Sequence, residues 1–431
     1  MATFRQGSPT LPLGRSYRVR PRKLRPLLRQ DDAQMVMDDA STTPPGLSLG
    51  ALFGKFLGFG ALAFGGPVAQ IAMLREALVE KERWIDPARF NRLLAVMQAL
   101  PGPEAHELCV HLGIVARGRI GGLLAGLGFM LPGLALMLAA GWLYTTFVVG
   151  DAELAGVLLG VQIAVLAVIG RAVVRIGQHV VENRLLAAIA AGALVATLMG
   201  VPFWIPLVAA GGTYSFSHRP LVALAVVAVA VGLAGALHLS TTLSAGASAA
   251  AYAPVTAGAL FVAGLKGGLL TFGGAYTAIP YVRGDTVGRG WIDDATFLDG
   301  VAVAGVLPAP LVIFATFVGY VAGGVGGALA ITAGMFLPAF AFSMILFERL
   351  EALVENPALH RLLAGVAAAV VGIIAATFFQ LAQAIVERMS SAPVALALFA
   401  IALIVVWRLK GAWVTPAVLI GGALVGWLVS L

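Results

Sequence analysis

The sequence predicts an all-α polytopic membrane protein with about 10–12 membrane segments. Its two homologous halves contain broken helices and are read as inverted repeats. Three observations carry this. Hydrophobic residues make up 60% of the 431 and charged residues 11%, with mean hydropathy +0.94; soluble domains are about half apolar and about a quarter charged. Apolar stretches near spanning length follow one another from Leu47 onward. A set of short motifs occurs twice, in the same order. The composition excludes an ordinary soluble enzyme, a disordered chain and a nucleic-acid module, so no nucleic-acid partner is expected. An intramembrane hydrolase would need a properly spaced metal or nucleophile set, which the sequence does not show, so no enzymatic activity is expected.

Residues 1–45 hold eight Lys or Arg against four Asp, much of the net charge of +7. No apolar run stands directly behind these charges, as a secretory signal requires. They are expected to form a disordered basic cytoplasmic tail that orients the chain by the positive-inside rule. Met35 and Met37 are alternative starts. The single cysteine, Cys109, leaves no internal disulfide and no cysteine-based metal cage.

Candidate spans lie at 47–66, 93–116, 120–147, 153–178, 185–210, 220–238, 254–273, 294–322, 325–347, 359–386, 392–408 and 413–430. A crossing needs about 20 apolar residues. These runs are continuously apolar rather than alternating, so they are helices and not barrel strands. Segment 67–92 differs. Arg75, Glu76, Glu80, Lys81, Glu82, Arg83, Arg89 and Arg92 are too many charges for lipid. With Val68, Ile71, Leu74 and Leu78 on its other side, it is expected to be an amphipathic helix at the interface or facing water.

The repeat is read directly from the residues. Phe64-Gly65-Gly66 returns as Phe272-Gly273-Gly274, at a spacing of 208. Trp84-Ile85-Asp86 returns as Trp291-Ile292-Asp293, and Leu100-Pro101-Gly102-Pro103 as Leu307-Pro308-Ala309-Pro310, both at 207. Leu131-Pro132 returns as Leu337-Pro338, at 206. The expected repeats are 46–240 and 241–431. Duplicated halves interrupted at matching places point to a secondary transporter. A break frees backbone N–H and C=O groups that lipid cannot satisfy, so they must face protein or a polar cavity. Pro103 and Pro310 pre-set the start of a new half-helix at 104–113 and at 311–319. Two positive helix ends meeting near the midplane suit an anion.

The blocks Phe64-Gly-Gly-Pro, Gln70-Ile-Ala, Trp84-Ile and Leu100-Pro-Gly-Pro-Glu-Ala resemble the first half of the long-chain chromate ion transporter (CHR) family. Thr271-Phe-Gly-Gly-Ala-Tyr, Ile279-Pro-Tyr-Val, Gly290-Trp-Ile and Leu298-Asp-Gly resemble its second half. The resemblance covers about 47–430. It implies chromate export across the bacterial inner membrane by halves of opposite orientation. This chain departs from the family pattern at Ala309, where the family has Gly. The alternative is a carrier of sulfate or another oxyanion.

The candidate substrate-binding residues are Gly65, Gly66, Pro67, Pro101, Gly102, Pro103, Glu104, Lys266, Gly273, Gly274, Pro308 and Pro310. Glu104 and Glu107 are the candidate proton-coupling groups, because carboxylates beside an oxyanion can exchange a proton as it comes and goes. His106 and His111 stand at i and i+5, about 140° apart around a helix of 3.6 residues per turn. A zinc-protease helix needs i and i+4, so no metal site is expected, and no cofactor. Lys55, Lys266, Arg171 and Arg175 lie in or near apolar runs, where cations face a cavity or a partner. Arg75 and Arg283 follow the two glycine blocks. The expected partners are chromate or a related oxyanion and the lipid bilayer, with a homodimer allowed. The expected location is the bacterial inner membrane, with the N-terminus cytoplasmic.

Overall fold

A computed structural model describes residues 46–99, 102–148, 151, 153–244, 254–272, 274–345, 357–389, 391–409, 411 and 413–429. The predicted tail and the positions Pro101 and Gly273 lie outside them. Among the described residues there are helices and no strands.

The first repeat runs α1 (Leu49–Ala61), α2 (Gly66–Arg75, continued by a π-helical turn Glu76–Lys81), α3 (Pro87–Ala99), α4 (Glu104–Leu143), α5 (Glu153–Val180), α6 (Arg184–Leu198) and α7 (Trp204–Ser215). The second runs α9 (Ala257–Leu269), α10 (Ile279–Thr286), α11 (Asp294–Val306), α12 (Phe314–Ile345), α13 (Pro357–Val386), α14 (Ala392–Arg408) and α15 (Val414–Val429). Between them lies α8 (Pro220–Ser244). The expected boundary at 240 therefore falls inside α8.

The repeat extends to the backbone angles. α1 ends at Leu62 and α9 at Leu270, each with φ −108° and ψ 8°. Inside α4, Arg117 has φ −146° and Gly118 φ 63°, ψ −164°; inside α12, Gly323 has φ −147° and Gly324 φ 62°, ψ −158°. A residue with a Cβ is strained at the second of these positions, and both halves place Gly there.

These two-residue turns fold each long helix back on itself. A Cβ on Gly113 would meet the carbonyl of Gly121, and one on Gly319 the carbonyl of Gly327. In a straight helix residues eight apart lie about 12 Å apart along the axis. Residues 104–116 therefore form a short arm packed antiparallel on the arm 119–143, and α12 forms the same hairpin around Gly323. Thr316 and Thr332 share a hydrogen bond at 2.6 Å across the second hairpin. The expected breaks between 116 and 120 and between 322 and 325 are these turns.

The repeats are joined by exchange. α1 packs on α4, and α9 on α12, while α4 and α12 pack on each other. In turn α6 and α7 of the first repeat pack on α13, and α14 and α15 of the second pack on α5. Close backbone approach at small residues makes these seams: Gly60 on Phe129, Gly264 on Ile331, Gly426 on Gly156, Gly372 on Ala190.

The direction of packing fixes the symmetry. Gly126, early in the long arm of α4, meets Phe340, late in α12. Gly141, near the end of that arm, meets Tyr320, just before the α12 turn. The long arm of α4 thus rises beside the descending long arm of α12. Equivalent helices that pack antiparallel are related by an axis across their length. For helices that span a bilayer, that axis lies in the membrane plane, which is inversion.

Five described helices or helix pairs are long and apolar enough to cross a membrane, and five shorter apolar helices accompany them. Segment 67–92 is not one helix but α2, its π turn and the start of α3. It is amphipathic as expected. Leu74, Leu78, Trp84 and Ile85 are buried, while Glu76, Glu80, Glu82 and Arg89 are exposed.

Candidate functional site

Four chain breaks converge where the repeats meet. The first lies at residues 63–66, after α1. Gly65 is left-handed (φ 85°), Gly66 has φ 77°, and Pro67 follows in the first turn of α2. The second precedes α4, where Pro103 (φ −76°, ψ 97°) is the extended N-cap and His106 and Glu107 donate N–H bonds to its carbonyl. The third ends α9 at Thr271, with Gly274 at φ 127°. The fourth is 308–310, after α11. The half-helix after it starts as a 3₁₀ turn, Leu311–Ile313, rather than as regular α-helix.

Two sets of hydrogen bonds tie these breaks across the repeats. The N–H of Gly102 donates to the carbonyl of Thr271 at 2.8 Å. The buried Gln70 side chain donates to the carbonyls of Ala63 (2.9 Å) and Ala309 (3.0 Å). Each contact joins a glycine-block break to a proline-block break, and each spans both repeats. A Cβ on Gly133 would meet Ala309 Cβ at 2.6 Å, so the long arm of α4 closes over the fourth break.

Of the candidate substrate residues, Gly65, Gly66, Pro67, Gly102, Pro103, Gly274, Pro308 and Pro310 all belong to these breaks. Glu104 opens α4 and is 8% exposed, and Glu107 is 1% exposed. Neither carboxylate oxygen of Glu107 has a hydrogen-bond partner among the described residues. Gly102 lies against this carboxylate so closely that a Cβ there would collide with it. Lys266 sits one turn before the end of α9 and is paired with Asp285 (3.0 Å), which also holds Arg289 (2.9 Å). Its charge is thus shared with a buried acid.

Lys55 and Arg283 of the sequence analysis are engaged in the same way. Lys55 pairs with Glu82. The Arg283 guanidinium grips Asp294 through two bonds (2.6 and 2.9 Å) and Gln380 through a third (2.7 Å). That fork is filled, so Arg283 is a clamp between α10, α11 and α13. His106 is buried between Phe336 and Phe340 and bonds the Gly126 carbonyl at 3.2 Å. No group of three metal ligands occurs among the described residues.

Sequence reasoning gave no role to Gln70, Thr271 or the buried Asp299. Asp299 accepts from Tyr144 (2.8 Å) and Gln162 (2.8 Å), and Gln162 accepts from Arg388 (3.0 Å). This network fastens α11, which carries the fourth break, to α5 and to the end of α13. An isolated acid or amide within an apolar run was the available signal for both Gln70 and Asp299.

Two repeats whose broken helices pack on one another are the arrangement of a membrane transporter. The chromate transporter family model matches residues 50–216 and 258–427, one match per repeat. The chain belongs to that family. It is 55% identical to the chromate transport protein of Pseudomonas aeruginosa over 91% of this chain and 95% of that protein. It is 30% identical to the chromate transport protein of Cupriavidus metallidurans over 89% and 94%. To the probable chromate transport protein of Synechococcus elongatus it is 28% identical over 89% and 96%. No solved structure matches the chain.

Proposed function

We propose that the protein exports chromate across the bacterial inner membrane, binding the anion where the four breaks meet. The observation that carries this is the pair of cross-repeat ties, Gly102 to Thr271 and Gln70 to Ala63 and Ala309. One tie fastens the half-helix start after Pro103 to the second repeat, and the other fastens the segment before Pro310 to the first. The free N–H groups and positive ends of the two half-helices favour an anion. The names of the relatives supply the substrate class.

Magnitude supports the direction. Moving one charge across 100 mV is worth about 2.3 kcal/mol. A dianion leaving an inside-negative cell therefore gains about 4.6 kcal/mol per 100 mV. Import would need more than two co-transported cations. Glu104 and Glu107 would couple a proton to this movement, since an ionised carboxylate repels the oxyanion and a protonated one donates to it. The homologous halves would alternate around the fixed site.

The test is radiolabelled chromate flux in everted vesicles with sulfate as competitor. Saturable uptake driven by an imposed potential supports the reading. Uptake of sulfate with no uptake of chromate would reassign the substrate.

A further inference from the structure

Most cations near the core of the protein are already engaged: Lys55 by Glu82, Lys266 and Arg289 by Asp285, Arg283 by Asp294, Arg388 by Gln162. Arg171 and Arg175 are different. They lie within α5, nine and five residues before its end at Val180. Neither guanidinium has an ion-pair or hydrogen-bond partner among the described residues. Packing does not demand them. The equivalent helix α13 carries its only Lys or Arg at Arg361, in its first turns. Cations within a membrane helix are expensive and persist where they meet a partner or a cavity.

A small apolar hollow lies further along the same helix, toward its start. Val165 and Val168 of α5, Tyr276, Gly305 and Leu311 are among its lining residues. Leu311 is the residue directly after Pro310, so the cavity reaches the fourth break. Arg171 and Arg175 continue the Val168 stripe at i+3 and i+7, and neighbours at those spacings share a helix face. Tyr276 is within electrostatic reach of both guanidiniums. Arg171 is half-buried and Arg175 exposed. The series Arg175, Arg171, Tyr276 therefore leads from the protein surface to the cavity at the break.

We infer that Arg171 and Arg175 form a capture site for the oxyanion on its way to the second repeat's break, a role that rests on the proposed function. Two guanidiniums one turn apart match a tetrahedral dianion in charge, and each fork matches two of its oxygens. Tyr276 supplies a hydroxyl donor at the inner end. Anion binding neutralises two positive charges that the protein itself leaves unpaired, and the two guanidiniums offset part of the anion's desolvation.

Radiolabelled chromate uptake into everted vesicles tests this with Arg171→Gln, Arg175→Gln and the double variant, normalised to tagged protein in the membrane. Each single change is expected to raise KM at least about tenfold, which is 1.4 kcal/mol, with the maximal rate held within about twofold. The inhibition constant of sulfate should rise in parallel, because the site recognises a dianion. A second measurement uses the wild-type protein, so it does not depend on variant folding. Chromate should slow modification of Arg171 and Arg175 by phenylglyoxal, read peptide by peptide by mass spectrometry, while chloride should not. Wild-type KM in the variants, or equal modification rates with and without chromate, overturns the capture site and leaves two arginines that reach for the interface. Absence of chromate flux in wild-type vesicles is a separate result and overturns the proposed function instead.

Discussion

Gln70→Leu is the sharpest perturbation of the site, because one amide closes two breaks in two repeats. The side chain is 1% exposed, and its two N–H groups go to Ala63 and Ala309 carbonyls at 2.9 and 3.0 Å. Leucine keeps the approximate volume and removes both donors. Each carbonyl left bare in a buried place costs about 1–3 kcal/mol, so the change is worth roughly 2–6 kcal/mol. Part of that cost falls on the closed arrangement of breaks. The expected result is a loss of several degrees in melting temperature of the detergent-purified protein, with a reduced maximal rate of chromate uptake. Gln70→Glu separates bonding from shape. A carboxylate accepts only, so it faces two carbonyls with no donor and should be worse than leucine at neutral pH. Once protonated it donates one bond, so its activity should recover on acidification. Gln178→Leu, at an exposed position of α5, is the control. If Gln70→Leu melts and transports like wild type, the tie does not hold the breaks together and the site must be drawn elsewhere.

Three further outcomes follow from the same geometry. Tags at Glu82 and Gly290 are expected on opposite sides of the membrane by accessibility labelling; finding both on one side would contradict the antiparallel packing of α4 on α12. Pro103→Ala should lower chromate export with the protein still in the membrane, because it lets α3 and α4 run together and withdraws the free N–H groups; unchanged export would reduce the break to a packing kink. Gly102→Ala meets both a glycine-favouring φ of 148° and the Glu107 carboxylate, and such a backbone conformation costs about 1–3 kcal/mol. It should therefore lower melting temperature and transport together, and Glu107→Gln should not rescue it, since the glutamine side chain fills the same space.

How much of this was written in the residues depends on the range of the interaction. The duplicated Phe-Gly-Gly and Leu-Pro motifs are local, and they located all four breaks. The apolar runs also end at 116 and 322, beside Gly118 and Gly324, whose left-handed turns need a residue without a Cβ. Their consequence was not legible. A glycine in the sequence fits a hairpin or a kink alike, and the contact of Gly113 with Gly121 shows the hairpin. The partners of the charged residues were equally hidden. Lys55 meets Glu82 within the first repeat and Gln70 meets Ala309 across the two, at separations of 27 and 239 residues. No periodicity encodes such pairs. The charged face of 67–92 was readable as amphipathic, but the burial of Trp84 came from packing on α1, with Phe56 against its ring at 6.3 Å.

The two halves share a backbone but not a charge pattern, and that difference has a mechanical meaning. At the spacing of 207, Glu104 and Glu107 correspond to Leu311 and Phe314. The first half-helix therefore begins with two buried carboxylates and the second with two apolar side chains. The unpaired cations, Arg171 and Arg175, lie instead toward the fourth break. A perfectly symmetric inverted pair would present the anion with the same surroundings from either side, and would favour neither. On the proposed reading the anion is drawn in toward the fourth break by positive charge. It then meets carboxylates at the second, which hold it only while they carry a proton. Attraction on one side and conditional repulsion on the other make the midplane a place to pass through rather than to rest. Glu104→Gln and Glu107→Gln test this together. Both keep a donor and neither can titrate, so the double variant should still bind chromate while its export loses dependence on pH. If the pH profile of that variant matches wild type, the carboxylates only start a helix, and the asymmetry between the breaks has no part in coupling.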